Sequence, residues 1–203
     1  MAISEDTKYV FEAGKPYLIK NDLYGFYRYI FTTDDATVRD KIRSDEIYEA
    51  FKNAGIDVMD EFKKNGLIPE SAFIEAKNIG DFEIPEGIRA IEMFAFEGCD
   101  NLNLKRLPES LKFIGEYAFS SCKNLSFDNG TLVIPASVDT ILERAFAVCP
   151  KITKVIFEGM TNTLEDRVFQ NCDNITEIHV PWQPDEDVVN WGAVNAEIFY
   201  AGK

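Results

Sequence analysis

A spacing constrains this chain more than any single residue does. Phe96, Phe119, Phe146 and Phe169 follow one another in steps of 23, 27 and 23, and Cys99, Cys122, Cys149 and Cys172 keep the same steps three residues behind them. Two side chain types locked to one period define an internal repeat, and a repeat of this length decides the architecture before local propensity is consulted. One unit is too small to bury its own apolar face, so units stack and build a continuous core. Such an array presents a long surface rather than a deep cleft, which favours binding over catalysis.

The clearest copy runs from Leu107 to Leu125, with Leu107-Pro108 at its start and Ala118-Phe119-Ser120-Ser121-Cys122 near its end. Each unit reads as a short strand, a proline turn, a loop with apolar anchors, and a short helical turn carrying Ala-Phe-x-x-Cys. Counting back one period from Ala95-Phe96 lands on Ala72-Phe73, with Ala76 where cysteine would stand, so the array begins near Ser71. Period-two alternation turns Phe82 and Ile84, Leu132 and Ile134, Val155 and Phe157, and Ile178 and Val180 inward. Lys105 breaks this pattern beside Leu107: either the strand twists there, or the aliphatic stem packs while the ammonium reaches water. The step of 27 places an insertion at residues 126–131, where Asp128-Asn129-Gly130 is turn chemistry, because Asn and Gly tolerate positive φ. The insertion is expected to protrude as a loop from one edge of the array.

The chain divides at Gly66 into a small α+β unit, residues 1–66, and the repeats with their C-terminal cap, residues 67–203, the cap spanning about 181–203. Aromatic segments at Tyr9–Phe11, Tyr17–Ile19 and Tyr24–Phe31 predict two or three strands, punctuated by Gly14-Lys15-Pro16 and Asn21-Asp22. Beyond Asp35 the apolar period becomes helical: Val38, Ile42, Ile47 and Phe51 precede a stop at Gly55, and a second helix from about Asp57 ends at Asn65-Gly66. A core this small is marginal alone, so the unit is expected to dock on the open end of the array. At the other end Asn195–Phe199 echoes Asn174–His179, predicting one more strand on the sheet, with Trp182 and Trp191 lying over the last coil.

Taken together, Ile84-Pro85-x-x-Ile88-x-x-Ile91-x-x-x-Ala95-Phe96-x-x-Cys99-x-x-Leu102 and its three later copies resemble the BspA-like leucine-rich repeat over about residues 71–181. The fourth copy departs, with Phe157-Glu158-Gly159-Met160 in place of Leu-Pro and Arg167-Val168-Phe169 in place of Tyr-Ala-Phe. The resemblance implies an α/β repeat solenoid with parallel strands, used by bacterial surface proteins for adhesion and found also in phage proteins. It implies no catalytic residues. The resemblance does not extend to the segment before Leu67.

Composition excludes several function classes. The net charge is −14, and residues 67–203 carry 11 Lys+Arg against 22 Asp+Glu, which disfavours nucleic acid and anionic membranes as partners. No run approaches a membrane span, and the first residues do not read as an export signal, so a virion or the cytoplasm is expected rather than secretion. The cysteines come one per coil rather than as close pairs, which is wrong for a metal site; they are expected to form a buried column of free thiols. His179 is the single histidine and shares its row with no nucleophile. No metal and no cofactor is expected, although Asp185-Glu186-Asp187 is an oxygen-rich stretch. Counting by repeats places Glu83, Arg106, Val133, Ile156 and His179 in one outward ladder, whose apolar centre and polar flanks suit a protein interface. With the protruding Asp128 and Asn129, the residues Arg106, Val133, Ile156 and His179 form the candidate binding surface. The expected function is a non-catalytic recognition or structural module, virion-associated or on a bacterial surface, with a viral or host protein as partner. A homo-oligomer or a place in a larger assembly is compatible with that expectation. An acidic inhibitor that competes with nucleic acid for a host factor is the alternative.

Overall fold

The computed structural model describes residues 16–21, 26–31, 58–76, 79–183 and 190–201. Near the N-terminus, β1 (Pro16–Asn21) and β2 (Phe26–Phe31) pair antiparallel from Pro16↔Phe31 to Asn21↔Phe26. The strand expected at Tyr9–Phe11 and the helix expected before Gly55 lie outside the described residues. The second expected helix is present as α1 (Val58–Asn65), which stops where Gly66 takes a left-handed φ of 72°. Lys63 and Lys64 in its last turn suit the negative end of the helix dipole. Phe62 is fully buried, with its ring 6.0 Å from that of Phe73, so α1 covers the first coil.

The repeats wind into a parallel solenoid. One side is a five-stranded sheet of two-residue strands: β3 (Leu67–Ile68), β5 (Ala90–Ile91), β7 (Phe113–Ile114), β9 (Thr140–Ile141) and β11 (Thr163–Leu164). The other side is split. A pair, β4 (Asp81–Phe82) with β6 (Asn103–Leu104), comes first. A four-stranded sheet of β8 (Thr131–Ile134), β10 (Lys154–Phe157), β12 (Glu177–Val180) and β13 (Glu197–Tyr200) follows. The array thus opens at Leu67, ahead of the expected start at Ser71, because Leu67–Ile68 already pairs with Ala90–Ile91.

The core is a column of rings. Phe73 stacks on Phe96 at 5.0 Å, Phe96 on Phe119 at 5.1 Å, Phe119 on Phe146 at 5.1 Å and Phe146 on Phe169 at 6.0 Å. All five are fully buried, and burial of that much aromatic surface, with the aliphatic residues packed around it, favours stacking of the coils. Beside them the four cysteines are buried thiols outside any disulfide. Each Sγ donates to a phenylalanine carbonyl one coil earlier: Cys99 to Phe73 at 2.8 Å, Cys122 to Phe96 at 3.0 Å, Cys149 to Phe119 at 3.2 Å and Cys172 to Phe146 at 3.0 Å. Burial pushes the thiols of Cys122 and Cys149 well above the ordinary range, which keeps them protonated and unreactive.

The expected helical turn at Ala-Phe-x-x-Cys takes another form. Left-handed residues interrupt it at Phe94 and Gly98, at Tyr117 and Ser121, and at Arg144 and Val148, so the chain forms successive turns there instead of a helix. Each turn bonds to the next coil through the backbone, as Phe96 N does to Ala118 O at 2.7 Å and Phe119 N to Ala145 O at 2.7 Å. The stack is tight enough that a Cβ on Gly115 would lie 2.6 Å from Met93 N, and one on Gly159 2.6 Å from Ala136 Cα.

Lys105 resolves by a shift of the strand. Leu104 takes the inward position and Leu107 the next, while Lys105 and Arg106 both reach solvent. At the C-terminus β13 joins the sheet parallel to β12, as its echo of Asn174–His179 predicts. Trp182 and Trp191 pack on Phe157 at 5.3 and 6.1 Å and on each other at 6.4 Å, which places both over the final coil. Asp185-Glu186-Asp187 lies outside the described residues.

Candidate interaction face

β8, β10 and β12 share one alternation, buried residues inward and half-buried residues outward, and their register aligns the outward side chains. Val133 sits opposite Ile156, Ile156 opposite His179, and His179 opposite Phe199 on β13. Four strands at roughly 4.8 Å spacing carry this row across about 14 Å of sheet. Thr131, Lys154, Glu177 and Glu197 form the parallel row beside it.

The two rows are joined at one point. Lys154 Nζ donates to Glu177 Oε2 at 2.7 Å, and His179 Nε2 lies 2.9 Å from the same oxygen. The Lys154 hydrogen bond first, and the His179 contact second, hold the Glu177 carboxyl below its usual range. The imidazole is stacked on Phe199 at 4.6 Å and 11°. The single histidine is therefore fixed on two sides, by a carboxylate and by a ring, and no Ser, Thr or Cys in its row completes a catalytic set. Among the described residues no three His, Cys, Asp or Glu side chains converge as a metal site. No described helix is long and apolar enough to cross a membrane.

Of the residues singled out by sequence, the structure brings Val133, Ile156 and His179 together and leaves Arg106 apart. The insertion at 126–131 separates β6 from β8, so the ladder counted through Glu83 and Arg106 is interrupted there. The register Phe82↔Leu104 is a step of 22, one short of the repeat, which moves Arg106 out of line with Glu83. Arg106 pairs instead with Glu86 at 3.4 Å on the exposed turn. Asp128 and Asn129 lie in an exposed 3-10 turn, Asp128–Gly130, with Asn129 at φ 56°. Its closing residue is tied down where Thr153 N donates to Gly130 O at 2.8 Å. Phe199 is the residue that counting by repeats missed. One full period counted on from His179 passes it and lands on Gly202, whereas the echo of Asn174–His179 in Asn195–Phe199 carried the signal, and the pairing of β12 with β13 brings Phe199 into the row.

The family model for the BspA type leucine-rich repeat region matches residues 66–186 in six copies. Among solved structures the chain is similar to a leucine-rich cell surface protein of Faecalibacterium prausnitzii, with 29% identity and a TM-score of 0.47, over 61% of this chain and 32% of that one. It is also similar to a leucine-rich repeat protein of Bacteroides ovatus, with 27% identity and a TM-score of 0.43, over 57% of this chain and 35% of that one. The chain spans about a third of the length of each of these structures. No curated protein matches it.

Proposed function

Since the chain belongs to the BspA-type leucine-rich repeat family, we propose that it is a non-catalytic protein-recognition module whose contact surface is the outer face of the sheet β8-β10-β12-β13. The observation that carries this reading is the in-register row Val133, Ile156, His179 and Phe199. An apolar centre with charged groups beside it has the composition of a protein interface, and side chains fixed by pairing and stacking lose little entropy on binding. The exposed turn at Asp128-Asn129 flanks the start of β8 and forms one rim. The partner is a protein, belonging to a virion or to a host or bacterial cell surface.

The test uses the immobilised chain and its Ile156→Asp variant, with proteins retained from the native source identified by mass spectrometry. A partner held by the wild type and lost with Ile156→Asp, at unchanged thermal stability, supports the reading. Equal retention by both overturns it. Retention that vanishes above roughly 0.5 M salt and is insensitive to Ile156→Asp would transfer the function to the acidic surface, since only exposed charge is screened so strongly.

A further inference from the structure

The last strand differs from those before it in one respect that pairing explains. In β8, β10 and β12 every inward side chain is buried, whereas inward Ile198 and Tyr200 of β13 are only half-buried. β13 stands at the end of its sheet, and among the described residues nothing pairs with its outer edge. Glu197 N donates to Thr176 O and Ala201 N to Val180 O, so by alternation the N–H and C=O groups of Ile198 and Tyr200 face outward along that edge. Two of the four large hydrophobic residues that stand exposed among the described residues are in this last coil, Val194 at 69% and Phe199 at 38%. A strand with open backbone groups and half-covered apolar residues is a template for another strand.

We propose that β13 pairs edge to edge, antiparallel, with β13 of a second copy of this chain, about a two-fold axis at Phe199. The strand is complementary to itself in this register. Opposed residues of an antiparallel pair share a face, so Ile198 meets Tyr200 of the other copy on the core side, and Phe199 meets its own counterpart on the outer face. Ile198 and Tyr200 exchange both of their outward backbone bonds with each other, so every pair in this register is complete. Glu197 falls opposite Ala201, so no like charges are opposed. The alternative axis at Ile198 would set Tyr200 against Ala196, which lies outside β13 and whose N–H is already given to Ala193 O at 3.0 Å, leaving that pair half-bonded. A two-fold contact closes on itself, producing a dimer and no filament. It also joins the two recognition rows end to end through Phe199, though the pairing does not depend on what those rows bind.

The experiment is light scattering and sedimentation of the full chain over a range of concentrations, with variants at the strand. The wild type is expected to move with concentration from 23.1 kDa toward twice that mass. Tyr200→Pro removes a donor from the open edge alone and is expected to remain a monomer, as is Phe199→Lys, which sets like charges across the axis. Opposed residues of a non-hydrogen-bonded pair have Cα atoms about 4.5 Å apart, within disulfide reach. Phe199→Cys is therefore expected to form a covalent dimer on mild oxidation, while Val133→Cys, three strands away, stays monomeric. A single-chain mass at every concentration overturns the proposal. So do a dimer that survives both Tyr200→Pro and Phe199→Lys, and a mass that grows past two chains.

Discussion

Phe119 and Phe146 bracket the one long step of the repeat, yet their rings stack at 5.1 Å and 8°, the geometry that Phe96 and Phe119 reach across an ordinary step, at 5.1 Å and 3°. The inserted residues therefore leave the core column undisturbed. They are taken up at the turn Asp128–Gly130, where a left-handed Asn129 lets the chain double back before β8 begins. Their cost appears on the surface, as the break between β6 and β8.

A loop that the core does not sense should accept more length. Inserting Gly-Ser between Asp128 and Asn129 is expected to shift the melting temperature by less than about 2 °C, since loop closure entropy grows only slowly with length. A calorimetric scan checks this; a larger drop would mean that the turn is coupled to the core.

The ring column should respond in the opposite way. Phe119→Ala removes a fully buried ring with a stacked neighbour on each side, and a loss of about 3–5 kcal/mol is expected from transfer and cavity terms together. Phe199→Ala, on the outer row, should cost less than about 1 kcal/mol by the same area reasoning. Comparable losses from the two in chemical denaturation would contradict the burial assignment.

Coil spacing can be probed at Gly115. Its φ is not left-handed, so space alone decides, and a Cβ there would stand 2.6 Å from Met93 N and 2.7 Å from Glu92 C. Backbone cannot swing aside as a side chain can. Gly115→Ala is expected to destabilise by about 1–3 kcal/mol as overpacking, measured by urea midpoint at unchanged m-value.

Stability should carry the signature of a buried acid. Glu92 is 9% exposed, and its carboxyl is pushed up to about 7, first by burial and then by Glu70. A folded value above the unfolded one means that the native state holds the proton more tightly. Stability from this group is therefore complete below pH about 4.5, falls as the pH rises toward 7 and levels off above it. The expected loss is roughly 1–3 kcal/mol. Glu92→Gln cannot ionise, so the difference between its stability and the wild type's should widen over this interval; a constant difference would rule out Glu92 as its source.

The repeat, its inward positions, the cysteine column and the closing strand were all legible in the sequence, because each follows from a period. Phe, Cys and the alternating aliphatics recur at fixed steps, and stacking identical coils turns a step along the chain into a contact in space. Departures from the period were legible as places but not as outcomes. Lys105 marked an irregularity, yet the outcome was neither the twisted strand nor the packed stem that the sequence offered but a register slipped by one, because Leu104 could take the inward position. Arg106 counted into the ladder but left it, since the insertion divided the sheet and the register of β4 with β6 slipped by one. Phe199 counted out of the ladder but entered it, because hydrogen bonding between β12 and β13 sets its neighbour and chain distance does not. The sequence by itself determined that this protein is a solenoid with a phenylalanine and cysteine core. Val133, Ile156 and His179 were countable into its outer row, but only tertiary structure decided that Arg106 leaves that row and Phe199 ends it, because a row across a sheet is defined by register between strands, and a one-residue slip or an added turn alters register without altering the repeat.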